Sequence, residues 1–232
     1  MIRAAVVTAI LFAALPASAA KVDLALVMAV DVSGSVDAGE YQLQHEGIAR
    51  AFENPRVIDA IRSGHVGAID ASVIEWSDRD KQVVTVAWTR VSDAKSGGAF
   101  AAAVRATKRS SAGLTAIGDA LNAADAAFGR LGDAADHRVI DISGDGMANI
   151  GPNPADVRDR LVAHGITING LAILKTEPWL DQYYDQYVVG GPHSFLLKVD
   201  DFQSFATAIE QKLLGEIAAR TGPVRAAAVQ MQ

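Results

Sequence analysis

The sequence contains no cysteine, and this absence excludes several classes of protein together. Disulfide-stapled scaffolds, thiolate zinc domains and cysteine nucleophiles all require that residue. An excess of basic charge is absent too: the net charge is −6, which disfavours a nucleic-acid partner held by bulk electrostatics. Hydrophobic residues make up 50% of the 232 residues, so the chain is also not intrinsically disordered.

Long hydrophobic runs are missing apart from one at the N-terminus. Arg3 is followed by an apolar run over residues 4–15 and then by small residues up to Ala20. This layout is typical of a cleaved secretory signal peptide, and the run is shorter than the roughly 20 residues that span a bilayer. We therefore expect a signal peptide over residues 1–19, cleavage near Ala19 or Ala20, a periplasmic or secreted location and no membrane span.

The remaining chain alternates between strand-like and helix-like segments. An almost unbroken apolar run over residues 22–30 predicts a strand buried on both faces, as in a parallel sheet. Segments 66–76 and 82–88 are joined by a short polar link, which predicts a hairpin and therefore one antiparallel edge strand. Further strands are expected at 138–143, 166–173 and 194–199, and helices at 40–52, 98–109, 116–130, 154–164, 179–187 and 202–219.

This alternation predicts an α/β fold with a Rossmann-like, doubly wound, mostly parallel sheet and one antiparallel edge strand. No internal repeat or linker interrupts it, so we expect one domain over residues 22–218. Residues 219–232 lack a pattern and are expected to form a loose tail.

Three polar loops lie where such a sheet places its binding crevice, at strand ends and at a helix entrance. Asp31, Ser33 and Ser35 follow the first buried strand, Thr115 precedes a helix, and Asp145 follows a later strand. Carboxylate and hydroxyl oxygens suit Mg²⁺ or Mn²⁺ better than zinc. We expect one of these two ions at the site in preference to Ca²⁺. The sequence therefore predicts a divalent-cation site at these five residues.

Few carboxylates surround the cation in this arrangement. Helix N-termini behind two of the loops add positive potential, which opposes cation binding and favours anions. Such a cation keeps strong Lewis acidity toward an incoming acid. We therefore expect an open coordination position that the Asp or Glu of a protein or peptide ligand fills.

The five residues, in this order, resemble the metal-ion-dependent adhesion site of von Willebrand factor A domains. Segments 26–30, 116–121 and 139–143 agree with that pattern, and the resemblance extends over residues 22–218. The chain is most similar to a family of uncharacterised bacterial secreted proteins with this domain. The resemblance implies a Rossmann-like sheet and one divalent cation, held directly or through water by the five residues.

One position departs from the family pattern. Domains of this type usually carry Thr or Ser directly before the final Asp-Gly, whereas this chain has Gly144 before Asp145. The added backbone freedom allows Asp145 to shift. The sequence therefore leaves open whether Asp145 binds the metal directly.

Two alternatives to a metal-dependent protein-binding module stay open. A cation with an open position can activate water, so one alternative is a metal-assisted hydrolase of unknown substrate. The other is a structural domain in which the metal holds loops together. The five histidines are scattered and no nucleophile elbow occurs, so we expect no enzyme activity, although a triad formed in space stays open.

Two other features need a structural explanation. Asp141 falls inside a predicted strand, where a charge needs a partner, and Arg138 is a nearby candidate. Aromatic residues also cluster after the fifth strand, where they either form a recognition lip or cover the sheet; they are Trp179, Tyr183, Tyr184 and Tyr187.

Overall fold

The computed structural model describes residues 21–221, with side chains up to residue 218. The predicted signal peptide lies outside the described residues, as does most of the predicted tail. The strands are β1 Lys21–Asp31, β2 Ile69–Trp76, β3 Gln82–Val91, β4 Ala134–Gly144, β5 Ile166–Ile173 and β6 Leu196–Val199. The helices are α1 Ala38–Glu53, α2 Pro55–Arg62, α3 Ala94–Arg105, α4 Ile117–Phe128, α5 Pro154–Ala163, α6 Leu180–Tyr187 and α7 Phe205–Thr221.

The six strands form one sheet in the order β3-β2-β1-β4-β5-β6. Only the edge strand β3 pairs in the antiparallel direction, so the predicted fold class is confirmed. From β1 the chain builds first toward β2 and later toward β4 on the other side. This change of direction makes the carboxyl ends of β1 and β4 the point where α/β sheets of this kind bind ligands.

The buried strand β1 divides the core between two helical layers. Its side chains point alternately to opposite faces because the strand repeat is two residues. Leu24, Leu26 and Met28 join the cluster that packs α1, α2, α3 and α7 against one face. Ala25 and Val27 join the cluster beneath α4, α5 and α6 on the other face. The continuous apolar run in the sequence reflects this burial on both sides.

The sequence pattern missed one helix. Helix α1 ends before Asn54-Pro55, as the sequence predicts. The residues that follow form a second helix, α2, which begins at Pro55. The Asn54 side chain accepts a hydrogen bond from the backbone N–H of Arg56 at 2.9 Å. Proline is suited to a first helical position because no backbone N–H is needed there.

Another helix is displaced from its expected bounds. We expected it over residues 98–109, but α3 spans Ala94–Arg105. Asp93 begins the helix because its carboxylate accepts the N–H of Ser96, and the Ser96 hydroxyl in turn accepts the N–H of Asp93. Residues 106–109 are therefore not part of the helix, and the side chain of Arg109 is used in the site described below.

A cluster of buried charges ties α7 to the sheet. Lys212 of α7 forms ion pairs with Asp141 of β4 and with Glu216, and its side chain has 0% exposure. Asn169 of β5 donates to Glu216 at 2.8 Å. The expected partner Arg138 is not the one observed, since its guanidinium donates to a backbone carbonyl instead. Helix α7, distant in sequence, brings the cation that Asp141 needs.

Within the part of the chain that the structure describes, no helix has both the length and the apolar character needed to cross a membrane.

Candidate metal-binding site

The first loop of the site is shaped by its own hydrogen bonds. Asp31, the last residue of β1, is fully buried, and its Oδ1 accepts the backbone N–H of Ser33 at 2.7 Å. This bond turns the chain sharply, so that the hydroxyls of Ser33 and Ser35 lie 3.1 Å apart. Ser33 is buried, whereas Ser35 is exposed, so the site opens to solvent at Ser35.

The second loop reaches the same point because β4 lies beside β1. Val30 and Ser143 are paired across these parallel strands, so the residues that follow them emerge together. Asp145 is buried, and its Oδ1 accepts a hydrogen bond from the Ser35 hydroxyl at 2.6 Å. Residues 110 positions apart in the sequence are thus in direct contact.

The third loop brings Thr115 beside this pair. The N–H of Gly34 donates to the carbonyl of Gly113 at 2.8 Å, which joins the first and third loops. Thr115 is buried and exchanges two hydrogen bonds with Asn149, which belongs to the loop after Asp145. The Thr115 hydroxyl lies 3.8 Å from the point where a Cβ on Gly146 would stand. All five sequence-predicted ligands therefore lie on three adjoining loops or, for Asp31, at the strand end that leads into one of them.

Burial disfavours the ionised form of both carboxylates. It raises the pKa of Asp31 to about 7, although hydrogen bonds from Ser33 act in the opposite direction and lower the pKa. Burial also raises the pKa of Asp145. Among the described residues, Asp31 Oδ2 and Asp145 Oδ2 are buried without a hydrogen-bond partner. Unpaired carboxylate oxygens beside hydroxyls match the oxygen ligands that a hard divalent cation takes.

The neighbours of Gly144 leave little room for a side chain at this position. A Cβ at this position would lie 2.8 Å from Asp31 Oδ2 and 2.6 Å from the hydroxyl of Tyr184. Both distances are too short for a side chain to be added without movement of its neighbours. The departure from the family pattern noted in the sequence therefore has a steric cause in this chain.

Two residues that support the first loop were missed by sequence reasoning. The guanidinium of Arg109 donates to the carbonyls of Val32 and Ser33, each at 2.7 Å. The amide of Gln44 donates to the carbonyl of Asp31 at 3.0 Å. Both bonds hold backbone carbonyls, and neither residue lies in a recognisable motif, so no local sequence signal points to them.

One histidine pairs with a buried carboxylate near this support. His45 Nε2 lies 3.0 Å from Glu75 Oε1, and the same oxygen accepts from the hydroxyl of Tyr41. The other carboxylate oxygen of Glu75 accepts the backbone N–H of Ser110 at 2.7 Å. These bonds fasten the loop that carries Arg109. His45 and Glu75 therefore stabilise the fold beside the site through hydrogen bonds to each other and from Tyr41 and Ser110 to Glu75.

The rim of the site exposes large apolar side chains. Leu114 precedes Thr115, Met147 follows Asp145 by two residues, and their exposed fractions are 45% and 44%. Trp179, at the start of α6, is 71% exposed. Tyr184, by contrast, is fully buried, so the aromatic cluster divides between the surface and the sheet. One turn beyond Trp179, the hydroxyl of Tyr183 accepts the N–H of Ala148, which joins this segment to the Asp145 loop.

Solved structures share this fold at low sequence identity. Proximal thread matrix protein 1 from the mussel byssus, with a zinc-occupied MIDAS motif, has a TM-score of 0.60 at 18% identity, over 87% of this chain and 49% of its own. A von Willebrand factor type A protein from Catenulispora acidiphila has a TM-score of 0.56 at 19% identity, over 85% of this chain and 42% of its own. The pilus adhesin SpaC from Lactobacillus rhamnosus GG has a TM-score of 0.55 at 12% identity, over 86% of this chain and 31% of its own.

The fold is therefore that of a von Willebrand factor A domain. This chain spans about half the length of the mussel protein and less of the other two. A search of curated protein sequences gives no match. A family model described as "Protein of unknown function (DUF1194)" matches residues 21–221. That match covers most of the sequence, and the chain belongs to this family of proteins of unknown function.

Proposed function

We propose that this protein is a secreted or periplasmic binding module that captures a protein or peptide ligand through one divalent cation. The observation that carries the proposal is the pair of buried carboxylate oxygens, on Asp31 and Asp145, that lack hydrogen-bond partners in the described chain. The proposal includes cleavage of residues 1–19 and a binding domain over residues 22–218.

Five side chains would hold the cation, directly or through water: Asp31, Ser33, Ser35, Thr115 and Asp145. With only two carboxylates among them, the bound cation would supply an electrophilic position for a carboxylate of the ligand. We propose Mg²⁺ or Mn²⁺ because all five ligands are hard oxygens. Zinc is the ion named for the mussel protein, and it belongs in the same titration.

The surroundings of the site favour a protein ligand over a small anion. Leu114 and Met147 expose apolar surface on the loops that carry Thr115 and Asp145, and Trp179 is exposed one turn before Tyr183, which bonds the second of these loops. Exposed apolar residues around a polar centre are typical of protein-binding sites. We propose that the ligand presents an Asp or Glu flanked by apolar side chains, which contact this rim.

A binding role is better supported than hydrolysis. The described acid–base pair near the site, His45 with Glu75, is engaged with Tyr41 and Ser110. The hydroxyl of Ser35 donates to Asp145 rather than to a histidine. These contacts support a site that holds a cation and presents it to a ligand.

Calorimetric titration of the purified, metal-stripped protein with Mg²⁺, Mn²⁺, Ca²⁺ and Zn²⁺ tests the proposal. We expect one saturable site, with the affinity for Mg²⁺ or Mn²⁺ falling about tenfold or more in Ser33→Ala, because that change removes a ligand hydroxyl. Ser110→Ala is the matched control, since its side chain lies outside the five. Absence of binding by any ion, repeated with an acidic peptide present, would contradict the proposal.

Peptides selected from a random display library on the Mn²⁺-loaded protein test the ligand class. We expect enrichment of Asp or Glu beside apolar residues, and release by EDTA. Trp179→Ala should weaken the selected peptide about tenfold, because an exposed aromatic anchor is lost, while metal affinity stays unchanged. Selected peptides that lack acidic residues, or that remain bound in EDTA, would show that the ligand does not complete the metal site.

A further inference from the structure

Tyr184 lies on the buried face of α6. Leu180, Tyr184 and Val188 follow one another at four-residue spacing, and all three have 0% exposure in the same apolar cluster. Phenylalanine would satisfy that packing as well as tyrosine does. The hydroxyl of Tyr184 is therefore the feature of this position that packing does not explain.

That hydroxyl is costly in the described structure. It is buried and has no hydrogen-bond partner among the described residues. Burial of an unpaired hydroxyl is unfavourable, because the group loses its hydrogen bonds to water and gains none in return. A polar group kept at such a cost is expected to meet a partner in another state of the protein.

The partner is indicated by Gly144. The hydroxyl of Tyr184 and Asp31 Oδ2 both lie within 3 Å of the place where a Cβ on Gly144 would stand. Asp31 Oδ2 is the second buried atom at this point without a hydrogen-bond partner. A phenol is a donor and an ionised carboxylate is an acceptor, so the two atoms are chemically complementary.

We propose that Tyr184 is a positioning residue, whose hydroxyl donates to the Asp31 carboxylate when the site holds its cation. It occupies the space that a Ser or Thr side chain at position 144 would take. A donor at Asp31 Oδ2 orients the carboxylate, and such outer hydrogen bonds tune metal affinity. This inference rests on the proposed metal-binding function.

The substitution Tyr184→Phe separates this role from packing. We expect metal affinity, measured by calorimetry, to fall about 10–100-fold. The melting temperature of the metal-free protein should stay the same or rise, because the variant no longer buries an unpaired hydroxyl. Tyr187→Phe, on the same helix, is the matched control and should change neither measurement.

A second substitution returns a hydroxyl from the other side. Gly144→Ser alone should weaken metal binding, because its Cβ would lie 2.6 Å from the hydroxyl of Tyr184. In the double variant Gly144→Ser/Tyr184→Phe the clash with the hydroxyl is removed, whereas the added Cβ still lies 2.8 Å from Asp31 Oδ2. We expect the double variant to bind metal more tightly than Gly144→Ser.

The outcomes distinguish the two proposals. If the unsubstituted protein binds no cation, the proposed function fails, and this inference with it. If it binds a cation and Tyr184→Phe binds equally well, only the role of Tyr184 is wrong. If Tyr184→Phe lowers the metal-free melting temperature along with the affinity, the hydroxyl already stabilises the metal-free protein, and the inference is again overturned.

Discussion

Asp31→Asn is expected to abolish measurable metal binding, with affinity at least about 100-fold below that of the unsubstituted protein. Asparagine keeps the volume of the side chain and an oxygen that can accept from Ser33. It removes the negative charge that a divalent cation needs, and only the carboxylate of Asp145 remains. Calorimetric titration with Mg²⁺ and Mn²⁺ measures the loss.

The same substitution should stabilise the metal-free protein at alkaline pH. The pKa of Asp31 rises from its ordinary 3.8 to about 7 on folding, mainly through burial. Ionisation of Asp31 therefore favours the unfolded chain. The free energy of unfolding falls as the pH rises from 3.8 to about 7, and the loss persists at higher pH. Urea unfolding should show Asp31→Asn more stable than the unsubstituted protein at pH above 7, with the gain absent in acid.

Asp141→Asn is the matched control for Asp31. Asp141 is also a buried aspartate, on β4, and burial raises its pKa to about 7 as well. It lies beneath α7 rather than in the three loops. We expect this variant to bind metal normally. Equal loss of metal binding in both variants would place the effect of Asp31→Asn in the fold instead of in the site.

Lys212→Met is expected to lower the free energy of unfolding by about 3–5 kcal/mol, because it leaves two buried carboxylates without their cation. Lys212 is wholly buried between Asp141 and Glu216, and its Nζ lies 3.0 Å from Glu216 Oε1. Methionine preserves most of the side-chain volume, so the loss reflects charge rather than a cavity. Urea unfolding of the metal-free protein measures it.

Two variants serve as controls for Lys212. Lys175→Met also removes an ion pair, with Glu40, but this lysine is 38% exposed and its loss should cost less than about 1 kcal/mol. The triple variant Lys212→Met/Asp141→Asn/Glu216→Gln should recover much of the stability, since no buried charge is left unpaired. A loss below about 1 kcal/mol in Lys212→Met itself would mean that the cluster does not anchor α7.

The sequence predicted that the five candidate ligands would lie close together, because their positions follow from local patterns. Asp31 comes directly after a strand whose apolar run marks it as central, and Asp145 comes after another strand of the same kind. Parallel strands direct both residues to the same edge of the sheet. The hydrogen bond from Ser35 to Asp145 depends on the strand order, which places β4 beside β1 and which the sequence alone did not predict.

The helix bounds were less predictable than the strands. The pair Asn54-Pro55 is compatible with both the end of one helix and the start of another. Helix α2 forms here because Val57 and Ile61 pack into the core. The shift of α3 to Ala94 depends on a capping interaction within one turn. Periodicity alone cannot locate such boundaries, because helical spacing persists across them.

The sequence by itself determined the class of sheet, the loops that meet at its carboxyl edge and the oxygen chemistry of those loops. These depend on periodicity and on residues close to a strand end, which are local properties. Only the tertiary structure decided that Lys212 meets Asp141, that Arg109 holds the first loop, and that the Tyr184 hydroxyl and Asp31 Oδ2 both lie close to Gly144. Each of these arrangements brings together segments distant in the chain, and they arise from how helices and loops pack on the sheet.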